Sequence, residues 1–208
     1  MNSNPEGWPK TIASSIFALW VISVCCCAEV FAQQFGLQMG ETVQQVRSKG
    51  IMLEKAGTMW KTRYLPYGNT MFDDYRLLFG PNTGLCRINA WISEVSDSGY
   101  GDKTKQKYDS LKEALNKRYG YGSEIEHLRE GALWKENHEW MWSLFKDERW
   151  HSTYWGVKGI KINQKNLKAI RLEAKASSPS NGMILVNYEF NNITKCLEEL
   201  NAVQDSNL

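Results

Sequence analysis

Hydrophobic patterning along the chain begins with an N-terminal apolar run. The run covers residues 11 to about 28, follows a short polar start that ends with Lys10, and precedes Val30 and Ala32. A positive start, an apolar middle and small residues at positions −3 and −1 of a cleavage site are typical of a secretory signal peptide. The pattern predicts that residues 1–32 are removed, that no stable membrane span remains, and that the mature protein is periplasmic or secreted.

Two alternatives to cleavage stay open. The apolar run is about as long as a short membrane span, so an uncleaved N-terminal anchor is the first. Lipidation at Cys25, Cys26 or Cys27 is the second. The residues before these cysteines are Val24, Cys25 and Cys26, whereas a lipoprotein signal requires Gly, Ala or Ser there.

After the leader, alternating apolar positions predict strands that are joined as hairpins. Residues 74–79 and 85–92 flank a turn at 81–84, where Pro and Gly suit the backbone angles of a tight turn. A second hairpin is predicted from 167–176 and 183–190, and an aromatic strand is predicted at 149–155. In the strand 85–92, one face collects Cys86, Ile88, Ala90 and Ile92.

Apolar residues at helical spacing predict the helices, which cover 41–49, 103–119, 136–146 and 193–203. Asp102 is predicted to cap the second of these helices. Ser123 and Glu126 have the spacing of a capping box and predict a further short helix. Hairpins joined by helices indicate an α+β fold: a single domain at 33–203, with an antiparallel sheet, helices packed on one face and a frayed tail at 204–208.

Composition and charge narrow the function without assigning one. A formal net charge of +2 on 208 residues does not favour a nucleic-acid partner. His127, His138 and His151 are widely spaced and lack the spacing of a zinc motif, so we expect no metal and no cofactor. Gly-x-Ser-x-Gly is absent, which lowers the prospect of an enzyme without excluding a site assembled from distant residues.

Cys86 and Cys196 are the two cysteines that remain after the leader is removed. Both fall on predicted apolar faces, and an exported protein encounters an oxidising compartment. A disulfide between them is therefore expected. Two buried thiols that never meet are the alternative.

The segment 134–155 is unusually rich in tryptophan. Flat aromatic faces with a polar edge suit contact with a protein partner or a sugar polymer, although filling the core is their commonest use. The candidate binding residues in this segment are Trp134, Trp140, Trp142, Arg149, Trp150, Tyr154 and Trp155.

Two resemblances accompany this pattern. Residues 35–46 (FGLQMGETVQQV) resemble the start of small bacterial envelope modules of the beta-lactamase-inhibitor-protein-like type. The stretch Gly84-Leu85-Cys86, the central helix and residues 195–200 (KCLEEL) are similar to uncharacterised bacterial periplasmic proteins. Both resemblances imply a location in the cell envelope and a compact fold, and neither implies catalytic residues.

The sequence leaves three functions open. The first is a non-catalytic binding or accessory module that contacts another envelope protein or a cell-wall polymer. The second is an envelope hydrolase whose site brings a histidine together with a carboxylate. The third is a structural protein that keeps its N-terminal helix as an anchor.

Overall fold

The computed structural model describes residues 34–157, 162 and 164–205. The predicted signal peptide and its two alternatives lie outside this part of the chain, as do residues 206–208 of the predicted tail. Within it, no helix is both long enough and apolar enough to cross a membrane.

One antiparallel sheet contains the eight strands of the described residues. Its spatial order is β1-β2-β3-β4-β8-β7-β6-β5, so the long strands β4, β8 and β7 occupy the middle. The strands are β1 Glu54–Ala56, β2 Met59–Thr62, β3 Asp74–Gly80, β4 Gly84–Ser96, β5 Ser123–Leu128, β6 Arg149–Trp155, β7 Leu167–Ser178 and β8 Asn181–Phe190. Both predicted hairpins and the aromatic strand 149–155 are confirmed.

Four α-helices accompany the sheet in the described residues: α1 Val43–Ser48, α2 Asp102–Tyr119, α3 Trp140–Phe145 and α4 Ile193–Asp205. A short 3₁₀ turn, Asn137–Glu139, leads into α3. The predicted α+β fold with an antiparallel sheet is therefore confirmed. The last helix runs two residues beyond its predicted end at 203.

The main core lies between one face of the sheet and the helices α2 and α3. Side chains alternate across a strand, so β4 directs Ile88 and Ala90 into this core. Tyr108 and Leu115 of α2 belong to the same core. The hydroxyls of Tyr108 and Thr153 lie 2.6 Å apart inside this layer, which satisfies two buried polar groups.

Helix α4 packs against a second, smaller cluster. Leu78 alternates with the core residue Leu77, so it lies on the opposite face, where it contacts Ile193, Cys86 and Cys196. The prediction that the helices pack on one face is therefore wrong for α4, which covers the other face of the sheet. The sulfur atoms of Cys86 and Cys196 form the expected disulfide, and both residues are fully buried. This bond ties α4 to the β3–β4 hairpin.

Three local predictions were wrong. Pairing between β3 and β4 shifts by one residue between Leu78 and Phe79, so Cys86 leaves the face that carries Ile88 and joins the second cluster. Residues Ser123–Leu128 form the edge strand β5 instead of a helix, because β6 pairs with them along their whole length. Helix α2 is capped by Asp97, as described next, and not by Asp102.

The start of α2 needs a glycine and a distant carboxylate. Gly101 adopts φ +72° and its Cα packs against the ring of Trp140, so a side chain there would collide with that ring. The carboxylate of Asp97 accepts hydrogen bonds from the backbone N–H and the hydroxyl of Thr104, at 2.7 and 2.8 Å. Burial opposes its ionisation, but these hydrogen bonds hold the pKa of Asp97 below its ordinary value.

Candidate functional site

The predicted binding segment 134–155 does not form one surface. Trp155 is 0% exposed and Trp140 is 4% exposed. The indole N–H of Trp155 donates to the carbonyl of Gly120 at 2.7 Å, and that of Trp140 donates to Glu126 at 3.1 Å. Their packing and hydrogen bonds place both rings in the main core, so neither is available to a partner.

Arg149 is also committed to internal contacts. Its Nε donates to the hydroxyl of Ser143 at 2.8 Å, and its Nη1 pairs with the carboxylate of Glu126 at 2.7 Å. Tyr154 is partly buried and lies on the opposite face of the sheet from Trp155. Arg149 lines the cavity described below, and Tyr154 does not.

The remaining tryptophans belong to a line of partly exposed rings that we call the aromatic strip. Trp134 and Trp142 stack with their centroids 4.6 Å apart, and Phe145 meets Trp142 edge-on at 6.3 Å. Trp150 stacks on His127 at 5.8 Å. The members of the strip are His127, Trp134, Trp142, Phe145 and Trp150.

A surface cavity joins the two halves of the aromatic strip. Its volume is about 330 Å³, and Phe145 and Trp150 both line it. Glu173 and Lys175 of β7 form part of its wall and pair with each other at 3.0 Å. The cavity thus combines two aromatic rings with a lining that is otherwise mostly polar and charged.

Several large apolar side chains in this part of the chain are exposed to solvent. Trp150 is 42% exposed, Phe145 is 36% exposed, and Leu133, next to Trp134 in the chain, is 77% exposed. Large apolar side chains that remain open to water beside one another are typical of interaction sites. Leu133 and Phe145 were not predicted as site residues. The i, i+3 spacing of Trp142 and Phe145 on α3 is the signal that could have found Phe145.

Of the three histidines, His151 is the one that meets a carboxylate. Its Nε2 lies 2.9 Å from Oε1 of Glu124, and its ring packs 4.2 Å from that of Tyr108 and edge-on to Trp140. Its Nδ1 is buried without a hydrogen-bond partner. Lys112 also binds Glu124 at 3.0 Å, so the carboxylate is held on two sides.

The charges around His151 favour ionised carboxylates. Burial raises the pKa of Glu124, but its hydrogen bonds from His151 and Lys112 prevail and lower it. The pKa of Glu126 is likewise lowered, by the indole N–H of Trp140 and by Arg149 against the effect of burial. In the part of the chain that the structure describes, no three His, Cys, Asp or Glu residues converge as metal ligands.

Comparison with known proteins adds no relative: no protein-family model, curated protein or solved structure matches this chain. The two resemblances drawn from residues 35–46 and 195–200 therefore stay predictions. The function has to be argued from the geometry of the chain itself.

Proposed function

We propose that this chain is an exported, non-catalytic binding protein, and that it contacts a protein partner in the envelope through the aromatic strip. The observation that carries the proposal is the line of partly exposed rings that runs from the Trp134–Trp142 stack through Phe145 to Trp150. Aromatic side chains held rigidly at a surface supply much of the binding energy in protein interfaces.

A protein partner fits this surface better than a sugar polymer does. Leu133 and Phe145 carry no polar edge with which to bind hydroxyl groups, and both are open to water. The cavity between Phe145 and Trp150, lined by these rings and by charged side chains, is a recess that a side chain of a partner can enter. Interface hot spots commonly pair an anchoring side chain with such a pocket.

The rest of the fold suits a module that works outside the cytoplasm. The disulfide between Cys86 and Cys196 is compatible with an exported protein, since such bonds persist in oxidising compartments. The predicted leader at 1–32 points the same way. The periplasm and the extracellular medium are the two locations consistent with these features.

Site-specific photo-crosslinking tests the proposal directly. A photoreactive phenylalanine analogue is placed at Phe145 or Trp150, and at Tyr64 or Tyr121 as controls, in the organism that makes the protein. Tyr64 and Tyr121 are exposed aromatic residues outside the strip. We expect a protease-sensitive adduct from the strip positions and none from the controls.

Other adducts would decide against the proposal. A protease-resistant adduct that a cell-wall hydrolase releases would show a polymer ligand. Equal adducts from strip and control positions would show non-specific contact. No adduct at either strip position would remove the aromatic strip as a binding site.

A hydrolase is the second candidate, and the contact between His151 and Glu124 is the observation that favours it. A histidine paired with a carboxylate can serve as a general base. It ranks second because His151 is packed between Tyr108 and Trp140, and because Lys112 already binds Glu124. Hydrolysis of chromogenic esters that disappears in His151→Gln would support this candidate.

A further inference from the structure

A second site, separate from the aromatic strip, lies beneath helix α2. This cavity, which we call the α2 cavity, has a volume of about 550 Å³. It opens between the C-terminal half of α2, residues 34–36 and residues 67–72. Its volume falls within the range of roughly 300–1,000 Å³ that small-molecule sites occupy.

The lining of the α2 cavity is divided about equally between polar and apolar surface. Phe35 and Phe72 contribute rings that meet edge-on at 5.9 Å, and Leu111 and Leu115 of α2 form the opposite wall. Val186 of β8 lines it from the sheet. A ring or a short alkyl chain would fill such a space and exclude water from it.

Tyr188 contributes a hydroxyl group to this cavity. Tyr188 is only 5% exposed, and within residues 34–157 and 164–205 no group hydrogen-bonds to its hydroxyl. Burial raises the pKa of Tyr188, so the hydroxyl keeps its proton and remains a donor. A ligand oxygen that reaches this hydroxyl would accept a hydrogen bond from it.

The charged side chain at the opening of the α2 cavity is positive. Arg118 is the charged residue among the described residues that line the α2 cavity. Its guanidinium lies over the ring of Tyr119 at 5.4 Å, and no carboxylate of the described residues pairs with it. An exposed arginine at the edge of this cavity is suited to a carboxylate, because its planar fork matches that anion.

We propose that the α2 cavity binds a small molecule with an apolar ring or chain and one carboxylate, the carboxylate pairing with Arg118 and a second oxygen accepting from Tyr188. The α2 cavity and the aromatic strip share no residue. The proposal therefore stands independently of the function argued above.

Calorimetric titration with 4-phenylbutyrate, and with the uncharged 4-phenylbutanol, tests the ligand class. We expect saturable one-to-one binding of the carboxylate and binding of the alcohol that is about tenfold weaker or less, since a charged hydrogen bond is lost. Equal affinity for both probes would overturn the assignment of an anionic ligand. Absence of binding by 4-phenylbutyrate and by decanoate at millimolar concentration would overturn the site.

Three variants locate the binding. Arg118→Gln should weaken 4-phenylbutyrate about tenfold, while Lys117→Gln, the neighbouring exposed cation outside the cavity, should leave it unchanged. Ala114→Trp, at an exposed position of the lining, should abolish binding by filling the opening. Thermal unfolding without ligand confirms that each variant folds. Unaltered binding in both Arg118→Gln and Ala114→Trp would contradict the proposal.

Discussion

Trp134 and Trp142 stack with an interplanar angle of 16°, and a buried carboxylate elsewhere in the chain keeps them in place. That carboxylate belongs to Glu148, whose Oε2 accepts from the backbone N–H groups of Leu133 and Trp134 at 2.9 and 3.1 Å. Its other oxygen pairs with Arg129 at 3.1 Å. Glu148 thus holds the loop that carries Trp134, one member of the aromatic strip.

Replacing Glu148 with Gln should therefore loosen this loop. The amide keeps one acceptor oxygen but presents N–H groups where backbone donors already point, so we expect a loss of about 1–3 kcal/mol in the free energy of unfolding. Urea denaturation measures this loss, and tryptophan fluorescence reports the stack. Glu130→Gln, at an exposed position in the same loop, is the control and should leave both unchanged.

Trp140 and Trp150 should differ sharply when truncated. Trp140→Ala empties a core position and should cost about 3–5 kcal/mol in the free energy of unfolding. Trp150→Ala removes an exposed ring and should cost about 1 kcal/mol or less. Equal losses measured by urea denaturation would mean that the assignment of core and surface is wrong.

The disulfide between Cys86 and Cys196 should contribute strongly to stability. It closes a loop with a sequence separation of 110, and loss of such a bond typically costs about 2–5 kcal/mol. Urea denaturation of the Cys86→Ala/Cys196→Ala variant measures this cost. Alkylation of the unreduced, denatured wild-type protein should label neither cysteine when peptides are mapped by mass spectrometry; labelling of both would refute the bond.

Asp97 should make the stability of the fold depend on pH. Its pKa is lower in the folded chain than in the unfolded chain, so its carboxylate stabilises the fold above the ordinary pKa of Asp, about 3.9. This contribution is lost as the pH falls through the lower, folded-state pKa. The stability difference between wild type and Asp97→Asn should accordingly be largest near neutral pH and shrink in acid. A difference that stays constant down to acid pH would contradict the role of Asp97.

Removal of the predicted leader is a separate expectation. The protein isolated from the envelope or the medium should begin at Gln33, because Val30 and Ala32 fit the −3 and −1 positions of the cleavage site. Mass spectrometry of the intact protein decides the matter. A chain that begins at Met1 would favour the anchored alternative, and a lipid-modified mass would favour Cys25, Cys26 or Cys27.

The sequence by itself determined the elements whose signals are local. Strand β6 and the two hairpins followed from alternation and from turns at Pro81–Gly84 and Ser177–Gly182, because those residues restrict the backbone wherever they occur. The apolar stripe of α2 was equally plain, since helical spacing repeats within a few turns. The pairing of Cys86 with Cys196 was expected because both fall on apolar faces and remain as a lone pair once the predicted leader is removed.

The tertiary structure decided which side chains are covered. Ser123–Leu128 carried the local signal of a capped helix, yet pairing with β6 made it a strand, because a full ladder of backbone hydrogen bonds outweighs one cap. Trp140 and Trp150 are both tryptophans and lie near one another in the chain. Helix α2 and the sheet enclose Trp140, whereas Trp150 remains exposed to solvent. The α2 cavity joins segments far apart in sequence, from Phe35 to Tyr188, so its shape depends on how those segments pack and no local pattern could predict it.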